Sequence, residues 1–171
     1  CASQVVARRY RLQEDAYVVG LLHNVGMTLL NNLDTKRYAT CLELQEKGQS
    51  TVQAELDLFG VSHTQLGSAL AAKWDINPHF VEAISAYPKA SESKGLSKQG
   101  NVLASSIKLG KVIMDSPIFQ EPDEELDDTA RQAEEAKIFQ HPIVKHLGLS
   151  NGDVGKIMDK LEELYDEDPE S

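Results

Sequence analysis

Apolar residues recur every third or fourth position along most of the chain, and this period predicts helix after helix. Residues 2–12 form a short amphipathic segment through Val5, Val6 and Leu12. Residues 16–33 (AYVVGLLHNVGMTLLNNL) carry no charge, and they predict a single helix buried through the middle of a core. Glu14 and Asp15 stand where the positive end of that helix dipole favours them, and Asn31, Asn32 and Asp34 mark its exit. Residues 35–47 carry Tyr38, Cys41, Leu42 and Leu44 and end at Gly48. Ser50 or Thr51 caps a helix with Val52, Leu56 and Phe59, stopped by Gly60. Ser62 caps the next, where Leu66, Leu70 and Trp74 recur every fourth residue. Pro78 suits a first helical turn, Val81 and Ile84 follow, and Pro88 ends the run. KASESKGLSKQG is a polar loop, after which residues 101–114 resume with Val102, Leu103, Ile107, Val112 and Ile113. SPIFQEPD breaks the pattern, residues 124–139 form an acidic, alanine-rich helix, and Gly148 to Gly152 punctuates a turn. The last helix has the cleanest period, through Val154, Ile157, Met158, Leu161, Leu164 and Tyr165. No alternating strand of useful length interrupts this series, so the fold class is all-α.

The uncharged stretch raises the question of a membrane span. His23, Asn24, Thr28, Asn31, Asn32 and two glycines are too heavy a polar load for one. The chain of 171 residues, 41% hydrophobic and 26% charged, is long enough to bury a core without disulfide or metal staples. Its formal net charge of −10 argues against a surface made to grip phosphate backbones or anionic lipid. An aromatic content of 6%, with one Trp, argues against a base-stacking platform. Nucleic acid and membrane are therefore not expected partners. Cys1 and Cys41 belong to no CxxC or Cys/His cluster, which points to a reducing cytoplasm and to Cys41 as a buried, inert thiol. Arg8, Arg9 and Arg11 lead into no signal-peptide pattern, and the chain opens on Cys1 as a fragment of a longer protein would.

The charge is unevenly spread. Residues 1–86 hold 9 acidic and 7 basic side chains, net −2, whereas residues 87–171 hold 18 and 10, net −8. The acidity concentrates in 121–135 and after Glu162, as solvated helix faces or a disordered end would show.

Three stretches carry candidate chemistry: GLLHNVG at 20–26, FGVSHTQLGSALAAKW at 59–74 and FVEAISAYP at 80–88. A buried imidazole needs a partner, either hydrogen bonds or a metal. His23 lies in the uncharged stretch between Gly20 and Gly26, and His63 starts its helix where its ring can turn back toward another. GLLHNVG resembles the GLLHDIG stretch bearing the His-Asp dyad of HD-type proteins. QAELDLFGVSHTQLGSALAAKWDINPHFVEAI is similar, in order and spacing, to HDOD domains, the HD-related output domains of bacterial signalling proteins. Glu55, Phe59-Gly60, His63, Gly67, Leu70 and Trp74 carry that likeness, which spans about residues 1–114. The family's preceding helical segment is absent from the chain. The resemblance implies a multi-helix HD-like bundle over 1–114, with 115–171 as an acidic helical C-terminal extension packing on or near it.

Active relatives of this family are phosphohydrolases that hold divalent metal ions with His and Asp ligands, because anionic carboxylates fix hard cations and lower the pKa of bound water. Set against that pattern, the site looks dismantled. His23 keeps the His of the dyad, but Asn24 replaces the Asp. His63 matches the family's later His. Ser85-Ala86-Tyr87-Pro88 stands where relatives often show two histidines before a proline. The last ligand Asp is expected in 101–111, which contains no Asp, Glu or His; Ser105 or Ser106 stands there. His23 and His63 remain as weak metal candidates, and no cofactor is expected. His23, Asn24 and His63 are expected to form a hydrogen-bonded vestigial centre. No phosphate loop, GxSxG elbow or HExxH is present. The resemblance therefore implies a cytoplasmic, non-catalytic signalling output or scaffold module that contacts a signalling protein or a second copy of itself. The alternatives are a residual metal-dependent phosphohydrolase of a nucleotide or cyclic dinucleotide, and a small-molecule sensor using the vacated pocket.

Overall fold

Short polar side chains decide where the helices begin. Asp34, Ser50, Ser62, Ser97 and Asp127 each accept a hydrogen bond from the backbone N–H three residues on, at 2.8–3.3 Å. The computed structural model describes residues 2–120 and 127–166, without the side chains of residues 165 and 166. Cys1, residues 121–126, the Tyr165 side chain and the acidic tail beyond residue 166 lie outside the described residues. The helices are α1 Ala2–Ala7, α2 Gln13–Leu22, α3 Val25–Leu33, α4 Thr35–Glu46, α5 Thr51–Phe59, α6 His63–Lys73 and α7 Pro78–Ala86. They continue as α8 Lys98–Met114, α9 Pro117–Gln120, α10 Asp128–Gln140, α11 Pro142–His146 and α12 Asn151–Asp166. Single 3₁₀ turns occupy Arg8–Tyr10 and Tyr87–Lys89. The described residues contain no strand, and the protein is an all-α, multi-helix bundle.

The long α8 runs through the centre. It buries Leu103, Ala104, Ile107, Leu109 and Ile113, and packs against α1, α2, α7 and α11. It starts three residues earlier than its apolar period predicts, because the Ser97 cap lies upstream of the first apolar residue. A smaller core of Leu30, Tyr38, Cys41 and Ala54 joins α3, α4 and α5. Ile138, Ile143, Val144, Leu149, Val154, Met158 and Leu161 enter the same main core as α8, so α10, α11 and α12 are built into the bundle. Arg9 pairs with Asp153 at 2.8 Å, and Tyr10 Oη donates to the Leu147 carbonyl at 2.5 Å, tying both ends of the chain together.

The uncharged stretch 16–33 departs from its expectation. It is two helices, α2 and α3, with a bend at His23-Asn24. It does not cross the middle of the core: Tyr17, Val18, Leu21, Leu29 and Leu33 are exposed, Leu33 to 75%. Lack of charge does not imply burial, since folded surfaces carry much apolar area. The SPIFQEPD break also contains one helical turn, α9. No described helix is long and apolar enough to cross a membrane.

Candidate functional site

A tight connection sets His63 against Glu55. Helix α5 ends at Gly60, whose φ of 71° is the left-handed conformation that glycine adopts without strain. Two residues later Ser62 and Gln65 form a reciprocal capping box that fixes the start of α6. His63 therefore opens α6 with its ring turned back onto α5. Its backbone N–H donates to Glu55 Oε2 at 2.8 Å, and its Nδ1 lies 2.6 Å from the same oxygen. On the other side, Nε2 lies 2.7 Å from the Tyr87 hydroxyl, in the turn after α7. All three side chains are buried: Glu55 0%, His63 1% and Tyr87 2% exposed. Burial pushes the Tyr87 phenol far above its ordinary pKa, and the negative charge of Glu55 adds to the effect. The phenol therefore keeps its proton and can donate it to Nε2 of His63. That leaves the Nδ1 proton to bond Glu55, so the chain runs Tyr87–His63–Glu55 with its donors aligned. Glu55 Oε1 has no hydrogen-bond partner.

His23 meets this chain from α2. Its ring packs edge-on against Tyr87, with centroids 5.1 Å apart and planes at 87°. Nδ1 donates to the Gly20 carbonyl at 2.6 Å. Burial lowers the His23 pKa, that hydrogen bond opposes it, and the charge of Lys111 lowers it further. Close helix packing holds the arrangement. A Cβ on Gly26 of α3 would lie 2.0 Å from the His63 carbonyl oxygen, so only glycine lets α3 rest on the first residue of α6.

Tyr87 thus links His23 and His63, but Asn24 is not part of the group. It lies at the α2–α3 bend, exposed, and its side chain makes no cap hydrogen bond. The expected trio is replaced by Glu55, His63, Tyr87 and His23. Ser105 and Ser106 are fully buried on α8, and Ser106 Oγ has no partner. A cavity of about 210 Å³ next to His23 is lined also by Ser3, Gly110, Lys111 and Asp115. Asp115 is the one carboxylate there, and it is paired with Lys111 at 3.0 Å. The donor set does not fit a divalent metal: both His63 nitrogens are engaged, one His23 nitrogen is engaged, and the carboxylate holds an ammonium. No group of three His, Cys, Asp or Glu side chains among the described residues could hold an ion.

A larger cleft of about 660 Å³ opens beside the chain, with His63 and Tyr87 in its wall. The starts of α5 and α6 contribute Ser50, Thr51, Ser62 and Thr64, and the opposite side carries Lys89, Lys108, Lys111 and Asp115. Glu55 and Tyr87 are the residues that sequence reasoning did not assign to the site. The signal for Glu55 was present, because a buried imidazole needs a partner and Glu55 lies eight residues back across a glycine turn. Cys41 is buried, and burial pushes its thiol up from the ordinary pKa.

The HDOD domain family profile matches residues 1–89, ending short of the residue-114 limit expected from the motifs. No curated protein sequence matches the chain. Among solved structures, a crystal structure described as a putative phosphohydrolase from Shewanella amazonensis SB2B has a TM-score of 0.66 at 24% identity. That likeness, which concerns the fold, covers 95% of this chain and 55% of the other, so the chain spans little more than half of that protein. The His23 and His63 stretches and the packing between them lie inside the matched segment, and the match covers just over half of the sequence: the chain belongs to the HDOD domain family.

Proposed function

We propose that this HDOD domain is a non-catalytic output or scaffold module of a signalling protein, working in the cytoplasm through protein contacts. One observation carries the non-catalytic part. The two nitrogens of His63 are both spent on neighbours, Glu55 at 2.6 Å and Tyr87 at 2.7 Å, so the framework that positions a histidine uses it as a structural strut. The contact part is supported by the exposed large apolar side chains. Tyr17, Val18 and Leu21 lie on one face of α2, and Leu29 and Leu33 lie one turn apart on α3. Large apolar side chains left exposed in such groups suit an interaction site.

The test has two arms. Purified protein with Mn²⁺ is expected to hydrolyse p-nitrophenyl phosphate, bis-p-nitrophenyl phosphate and cyclic dinucleotides no faster than its His23→Ala variant. Robust turnover lost in that variant would overturn the reading in favour of a residual phosphohydrolase. A photocrosslinker placed at Leu21 is expected to capture a signalling partner or a second copy, while one at exposed Thr40 is not. Equal capture at both positions would remove the contact face.

A further inference from the structure

The cleft beside the Tyr87–His63–Glu55 chain is positively charged in an acidic molecule. Its ionised lining residues are Lys89, Lys108, Lys111 and Asp115, net +2, in a chain of net −10. Lys108 and Lys111 sit one turn apart on α8, and Lys89 ends the 3₁₀ turn that carries Tyr87. Lys111 is paired with Asp115 at 3.0 Å. Lys89 and Lys108 have no carboxylate partner among the described residues. Holding like charges around one concavity is unfavourable unless an anion joins them, and a walled cleft strengthens their field on such an anion.

Independent features point to the same ligand chemistry. Two helices, α5 and α6, begin at the cleft; the first N–H of α6 is already taken by buried Glu55, and the positive end of the α5 dipole adds to the lysines. The wall contains buried His63 and Tyr87, whose polar atoms are held in place by hydrogen bonds. Met27, Leu56 and Pro88 supply apolar contact for the body of a ligand. The volume of about 660 Å³ suits a small molecule rather than a polymer.

We infer that the cleft between the starts of α5 and α6 and the Lys108–Lys111 face of α8 binds a small molecule through a phosphate or diphosphate group. Its occupation without turnover rests on the non-catalytic reading above; the site itself does not. Lys89 and Lys108 supply the free charge, and Lys111 divides its charge between the ligand and Asp115.

The experiment is an NMR titration of the full chain with inorganic pyrophosphate at constant ionic strength, following ¹⁵N amide shifts and ³¹P signals in one sample. Saturable shifts are expected at His63, Thr64, Lys89, Lys108 and Lys111. The double variant Lys89→Gln/Lys108→Gln should bind at least tenfold more weakly. Lys36→Gln/Lys145→Gln, with the same change of charge on exposed positions outside the cleft, should stay within twofold. Linear, unsaturated shifts scattered over surface lysines, or equal weakening in both double variants, would overturn the site. If binding saturates as expected but the ³¹P spectrum shows pyrophosphate converted to phosphate, the site stands and the non-catalytic reading falls.

Discussion

Replacing Gly26 with alanine separates two effects of opposite sign. In a helix interior, Gly→Ala gains about 1 kcal/mol from backbone entropy and propensity. At Gly26 the added Cβ would stand 2.0 Å from the His63 carbonyl oxygen, 2.7 Å from its carbonyl carbon and 2.8 Å from its Cα. All three are backbone atoms, so no rotamer change relieves the overlap. Helix α3 must move off α6 by more than an ångström, in a segment where α3 also buries Leu30. Overpacking of this kind costs about 1–3 kcal/mol and more where the backbone must shift. The steric term exceeds the propensity gain, and Gly26→Ala should lose about 2 kcal/mol or more. Gly155, within α12, has nothing within 4 Å of its ideal Cβ, so Gly155→Ala should gain up to about 1 kcal/mol. Urea unfolding of both variants gives the comparison, read as midpoint shifts at unchanged slope. The displacement should also move the His63 imidazole signals in ¹H–¹⁵N spectra. A Gly26→Ala protein as stable as wild type, alongside a normally stabilised Gly155→Ala, would refute the packing argument.

Three further outcomes follow from the same structure. Glu55→Ala leaves two buried His63 N–H groups without an acceptor and should cost about 3 kcal/mol or more, whereas Tyr87→Phe removes one hydrogen bond and should cost about 1–2 kcal/mol, both read from urea midpoints. Burial depresses the pKa of His23 and of His141, so the unfolded chain takes up protons first as pH falls below about 6.5. Stability from these two groups is present above that pH and is lost as pH falls through their lower folded-state values; His23→Gln should flatten the loss between about pH 7 and 5, and an unchanged slope would exclude His23 as a source. Leu161→Ala should cost about 2–4 kcal/mol because it leaves a cavity in the main core, while Leu164→Ala, at 40% exposure, should stay within about 0.5 kcal/mol; equal effects would mean that α12 is not seated as described.

What the sequence reveals depends on the range of the interaction that decides each feature. The start of α6 is legible, because Ser62 and Gln65 satisfy each other three residues apart and nothing distant is required. The inward face of α12 is legible for the same reason, as its period alone orders Val154, Met158 and Leu161. The bend at His23-Asn24 is not. No glycine or proline stands at either residue, and the packing beside it is tertiary, with Gly26 seated on the His63 backbone of a helix 37 positions further on. The exposure of Leu21 and Leu33 is hidden likewise, since an uncharged stretch looks the same whether it meets a core or a surface.

The site follows the same division. That His63 needs a partner is readable from burial chemistry, and the choice of Glu55 follows once the Gly60 turn folds α6 back along α5. The position of Tyr87 coincides with a motif, but that a phenol would cap the imidazole is a matter of geometry. Asp115 escapes a search of residues 101–111 because it lies one helical turn beyond Lys111. Together these two explain how the His23 cavity is balanced without a metal-binding set. Lys111 brings a positive charge to Asp115 at 3.0 Å, and it adds to the burial that lowers the pKa of His23. An ammonium tethered to α8 thus balances the one carboxylate that lines this cavity. Lys108, on the same face and without an acidic partner, leaves that balance open toward the larger cleft, where a phosphate would complete it.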